Sequence, residues 1–151
     1  MKKKILSIIA TLAIVVPVSI IGFAGLSSRV SANIPFDFNV GGKEFKAGRY
    51  SVSRLYNTAT AGTLIIRSAD NSAAASFNVN NVTEKGESQA RLVFRRYGNQ
   101  YFLGQIYDGV SGQGYELMKT KTEREAAKKR DIITQKIIEP EMMTVVAQNG
   151  R

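Results

Sequence analysis

The chain contains no cysteine, no histidine and no tryptophan, and only three prolines among 151 residues. The first two absences exclude every nucleophilic triad or dyad built on a cysteine or an imidazole. They also remove the usual ligands of zinc, leaving only hard cations on carboxylate and carbonyl oxygens. Without cysteine no disulfide can staple the fold, so packing and strand pairing must hold it together. A lipid anchor on an amino-terminal cysteine is excluded for the same reason.

The amino terminus carries a distinct pattern. Met1 is followed by Lys2, Lys3 and Lys4, and then by an almost unbroken apolar stretch from Ile5 to Leu26. Val30-Ser31-Ala32 follows, with small residues at the two positions a signal peptidase reads. Charge, apolar helix and a small-x-small site in that order are the marks of a secretory signal. The expectation is a signal peptide over 1–32, cleaved between Ala32 and Asn33. The alternative is an uncleaved membrane anchor, since the apolar run reaches the roughly 20 residues that span a bilayer. Either reading puts the bulk of the chain outside the cytoplasm, in the periplasm, on the cell surface or in the medium.

Removal of residues 1–32 changes the charge. The whole chain has 21 basic and 12 acidic residues, a formal +9, but Lys2, Lys3, Lys4 and Arg29 would leave with the signal. The remaining +5 favours solubility and anionic surfaces and falls short of a nucleic-acid-binding composition.

The remainder reads as one β-rich domain with a carboxy-terminal helix over 33–136, followed by an extension over 137–151. Ile34, Phe36, Phe38 and Val40 alternate with polar neighbours, which predicts a half-buried strand with Pro35 at an edge. Gly41-Gly42 supplies a hairpin turn. Further strands are expected over Arg49–Leu55, Thr63–Ala69 and Ala73–Val82. The strongest unit is a hairpin over Ala90–Tyr107 turning at Gly98-Asn99. Its register places Phe94 opposite Leu103, Arg96 opposite Tyr101, Arg95 opposite Phe102 and Val93 opposite Gly104. Gly109, Gly112 and Gly114 read as a flexible loop, lacking the spacing of a phosphate loop. Thr122 and Glu125 form a capping box that opens a helix running to about Lys136. Residues Met142–Ala147 form either a late strand or a tail. Six to eight short strands and one helix predict a mainly β fold, a small antiparallel β-sandwich or partly open barrel, preceded by the signal helix.

Chemistry is sparse in this pattern. Asp37, Asp108 and Glu116 could form a carboxylate pair for a hydrolase only if folding brought two of them within about 5–10 Å. No calcium loop is present, and no cofactor is expected. Two basic groups stand out. Arg91, Arg95 and Arg96 lie beside Tyr101 and Phe102 on the hairpin, a mixture able to stack on bases or sugars. Lys128, Lys129 and Arg130 concentrate at the helix, able to meet anionic polymers or headgroups. A solvated charged face is the plain alternative.

The runs IPFDFNVGGKEFKAGRYSV (Ile34–Val52), LIIRSAD (Leu64–Asp70), RLVFRRYGNQYFLGQI (Arg91–Ile106) and ELMKTKTERE (Glu116–Glu125) resemble an uncharacterised group of small exported bacterial β-rich proteins. The resemblance covers the chain to about Arg130 and implies export and a β-rich fold. It implies no activity, cofactor or catalytic residue. The sequence therefore leads to an exported, non-enzymatic β-domain that binds or associates structurally in the cell envelope, its partner an envelope polymer or another envelope protein. A weak polyanion- or glycan-binding module and a carboxylate-dependent hydrolase are the alternatives. No nucleic acid is expected, and the membrane only through the amino-terminal segment. Self-association stays open through an unpaired edge such as Ile34–Val40.

Overall fold

Alternation of apolar and polar residues begins earlier than Ile34. In the computed structural model, which describes residues 29–55, 62–84, 89–110, 112–134 and 139–150, strand β1 runs Arg29–Ile34 with Val30, Ala32 and Ile34 buried. The expected signal helix lies outside the described residues. Pro35 has no N–H to give a ladder, and the chain leaves the sheet there. It turns a corner at Asp37, whose Oδ1 accepts from the Ala47 amide at 2.8 Å. It re-enters as β2 (Phe38–Val40). The single strand expected over Ile34–Val40 is thus two strands around a proline corner. Neither is an open edge: β1 lies between two neighbours, and β2 pairs with β3 (Lys43–Phe45) and, through Asn39 and Phe102, with the later strand Gln100–Tyr107.

The middle of the chain follows its period-two pattern. β4 (Gly48–Arg54) turns Tyr50 and Val52 inward, β5 (Thr63–Ser68) Leu64 and Ile66, and β6 (Ala74–Thr83) Ala75, Phe77 and Val79. Between β5 and β6, Asn71 takes a left-handed φ of 59° in the turn after Asp70. β7 (Arg91–Tyr97) and β8 (Gln100–Tyr107) form the hairpin at Gly98-Asn99. β9 (Gln113–Leu117), α1 (Lys121–Thr134), β10 (Glu141–Val146) and β11 (Gln148–Gly150) complete the order.

These strands make one open, mixed sheet of order β10-β7-β8-β9-β6-β5-β4-β1-β11, antiparallel except for the β2–β8 contact. β6 serves both halves: Ala74–Asn78 pair with β5, and Val79–Thr83 with β9. The carboxy-terminal segment does the same at the other side. β10 pairs with β7 and β11 with β1, and between them buried Ala147 donates its amide to the Ala90 carbonyl at 2.9 Å. Within the expected carboxy-terminal extension, either a late strand or a tail by sequence, Glu141–Val146 and Gln148–Gly150 are strands of the sheet.

The core lies between the halves. Phe38 is fully buried, stacking on Phe45 at 5.5 Å and meeting Tyr50 and Phe94 edge-on at 5.1 and 5.5 Å. Such pairs add about 0.5–1.5 kcal/mol each beyond their buried area. A second, smaller cluster of Tyr97, Phe102 and Ala126 seats α1 on the outer face of the hairpin. Among the described residues, no helix is long and apolar enough to cross a membrane.

Candidate functional site

The hairpin and the helix carry most of the residues singled out from sequence. Phe94–Leu103, Arg96–Tyr101 and Arg95–Phe102 pair as expected. Val93 pairs with Gln105, not with Gly104, because the register shifts there and Gly104 bulges out of the ladder. The bulge has a purpose in packing. A methyl on Gly104 would stand 3.2 Å from the Arg95 side chain, so the missing Cβ leaves room for the guanidinium to lie flat over the strand.

Arg95 is 5% exposed. Its Nε and Nη2 donate to the two carboxylate oxygens of Glu123 at 2.6 and 3.2 Å. Nη2 also donates to the Leu117 carbonyl at 3.1 Å, and the Tyr97 hydroxyl to Glu123 Oε1 at 3.4 Å. Glu123 is 1% exposed. A bidentate pair with every remaining oxygen engaged is the arrangement in which a buried ion pair is tolerated.

The same glutamate corrects the helix start. The Thr120 hydroxyl accepts from the Glu123 amide at 3.2 Å, and the first helical bond runs from the Arg124 amide to the Thr120 carbonyl. Thr120 is the N-cap, two residues before the expected Thr122. Glu123 occupies the third helical position, where a capping box would send it back to the cap. Here it reaches inward to Arg95.

The arginines of the hairpin are each matched by acid. Arg91 pairs with Glu84 and lies 4.0 Å over the Tyr107 ring. Arg96 pairs with Glu141 at 3.2 Å and lies 5.5 Å from the centre of the Tyr101 ring. Tyr101 in turn stacks on Phe36 at 4.0 Å, and Phe102 is buried under α1. The five hairpin residues Arg91, Arg95, Arg96, Tyr101 and Phe102 thus do not form one exposed patch. Arg95 and Phe102 point to the helix side, Arg96 and Tyr101 to the other.

The helix is different. Lys121, Arg124, Lys128 and Lys129 are exposed, as is Lys119 just before it; Arg130 belongs to the same helix by its backbone. Lys121, Arg124 and Lys128 follow helical spacing along the side opposite buried Glu123 and Ala126. Of the two acids at its start, Glu123 faces inward and only Glu125 is exposed. Glu125 stands four residues from Lys121 and three from Lys128 and balances part of this stripe, whereas Arg124 has like charges three residues before it and four after it. Lys121 occupies the first turn, where the dipole disfavours a cation, and the last turn holds no basic residue. Like charges three and four apart each cost about 0.2–0.5 kcal/mol.

The carboxylates hold loops. Asp37 and Glu44 both accept from Lys46 at 2.9 Å, and the Lys46 ammonium with the Ala47 amide holds the Asp37 carboxyl below its usual range. The hydroxyl of Ser68, with the amide and hydroxyl of Ser72, brings Asp70 down to about 2. Asp108 accepts from the Val110 amide at 3.0 Å. Glu116 lies 3.9 Å from Arg95. Asp37, Asp108 and Glu116 sit respectively at the β1–β2 corner, after β8 and within β9. Among the described residues no group of three or more acids could hold a metal ion.

The glycines after β8 do not make a loose loop. Gly109, at φ +71°, lies so close to the Ala90 backbone that an added Cβ would stand 2.3 Å from its nitrogen. Only glycine permits that approach. A recess of about 510 Å³ is open and lined by Ser31, Ala32, Asn33, Arg49, Val146 and Gln148. Sequence reasoning missed it because its walls come from both ends of the chain. Compared with known proteins, the chain matches no family model, no curated protein and no solved structure.

Proposed function

We propose that this is an exported, non-enzymatic β-domain that associates with an anionic polymer of the cell envelope through the outer face of α1. One observation carries the reading: Glu123 turns inward to Arg95, so Lys121, Arg124 and Lys128 meet solvent with Glu125 the one exposed acid among the described side chains of α1. Lys121 opposes the dipole and Arg124 faces like charges three and four residues away, and a polyanion is the partner that would relieve both. The hairpin arginines, neutralised by Glu84, Glu123 and Glu141, contribute to the fold and not to this contact. Asp37 is tied to Lys46 and the Ala47 amide, which gives it a part in holding the β1–β2 corner.

The wider setting belongs to the same proposal. The basic-apolar-small order of the amino terminus supports export, and the resemblance to small exported bacterial proteins agrees with it. The two halves sharing β6 and the carboxy-terminal segment support a partly open barrel. Dextran sulfate, with neutral dextran as control, tests the contact. Binding to the sulfated polymer that weakens with added salt is expected. Equal affinity for both polymers, or none for either, would refute it.

A further inference from the structure

The peptide bond between Ala32 and Asn33 lies inside β1. Val30 and Ala32, on its amino-terminal side, are 3% and 5% exposed and belong to the main core. Val30, Ser31 and Ala32 supply three of the five pairs that join β1 to β4. Arg29, Val30 and Ser31 supply all three pairs that join β1 to β11. A chain beginning at Asn33 would lose two core side chains, most of one ladder and the whole of another. Signal peptidase acts on the unfolded chain during translocation, so burial of the bond does not protect it. What separates one cut from another is whether the product can fold.

We infer that Arg29–Ala32 is a structural strand of the exported protein and that the peptidase cuts on the amino-terminal side of Arg29. The inference rests on the export reading above. It also fits the sequence of the signal itself. Gly22-Phe23-Ala24 repeats the small-x-small order, and a cut after Ala24 gives a signal within the usual span of about 15–30 residues. Arg29 would then stay with the mature chain, leaving 18 basic against 12 acidic residues, a net charge of +6.

The test is the amino terminus of the full-length precursor after expression in an exporting bacterium, read by intact mass and amino-terminal sequencing. A terminus between Gly25 and Arg29 is expected. A terminus at Asn33 overturns the inference while leaving the export reading standing. An intact Met1 on protein from the membrane fraction also overturns the cut and makes the amino-terminal segment an anchor, the bulk of the chain still lying outside the cytoplasm. Val30→Ala gives a second reading, because alanine keeps a small residue at the position the peptidase would read. If the strand is retained, the exported variant is lighter than wild type and melts several degrees lower. If its mass and melting temperature equal those of wild type, Val30 has been removed and the inference fails.

Discussion

Burying a guanidinium and a carboxylate costs several kcal/mol per ion in lost hydration, and the contacts around Arg95 offset that cost. Two bonds to Glu123, one to the Leu117 carbonyl and one from Tyr97 leave neither charge unpartnered. Glu123→Ala would strand the guanidinium under the helix, and urea unfolding should show a loss of about 3–5 kcal/mol. A loss under about 1 kcal/mol would mean that the pair does not hold α1 to the hairpin. Asp70 makes a separate prediction about acid. Its folded pKa is lowered, so its contribution is complete above the ordinary 3.8 and disappears as the pH falls through about 2. Wild type should therefore lose stability between those values, and Asp70→Ala should flatten that part of the curve. An unchanged profile in the variant would contradict the role given to the turn.

At the scale of elements, legibility followed the range of the interactions. The β7–β8 register could be read because Gly98-Asn99 fixes it locally and Phe94, Leu103 and Tyr101 agree with it. The corner at Pro35 was missed because Ile34, Phe36, Phe38 and Val40 keep an unbroken apolar rhythm although two strands share it. Arg95 looked solvent-facing because its partner lies 28 residues away. Glu123 looked like the interior of a capping box begun at Thr122, since both threonines offer the same local chemistry. The carboxy-terminal strands pair with β7 and β1, and nothing near them in sequence announces either partner. Deleting residues 141–151 removes six paired positions from β7 and three from β1. A broad, uncooperative urea transition is expected in place of a sharp one. A sharp transition at the wild-type midpoint would show that β10 and β11 add nothing to the cooperative unit.

Taken as a whole, the molecule sorts its charges into two kinds. On the sheet, Arg91, Arg95 and Arg96 each meet a glutamate and fix one element to another. On the outside of α1, Lys121, Arg124 and Lys128 are exposed and, among the described residues, pair with none of Glu84, Glu123 and Glu141. The sequence displayed both groups as basic clusters of equal promise; only folding, by drawing Glu123 inward, distinguishes them. The direct test compares dextran sulfate binding by Lys121→Glu/Arg124→Glu/Lys128→Glu with binding by Arg91→Gln/Arg96→Gln, each checked for an intact fold by circular dichroism. At about 1 kcal/mol per basic residue near an anionic surface, the helix variant should bind about a hundredfold more weakly. The hairpin variant should bind as wild type does. Full binding by the helix variant, or its loss only in the hairpin variant, would contradict the account.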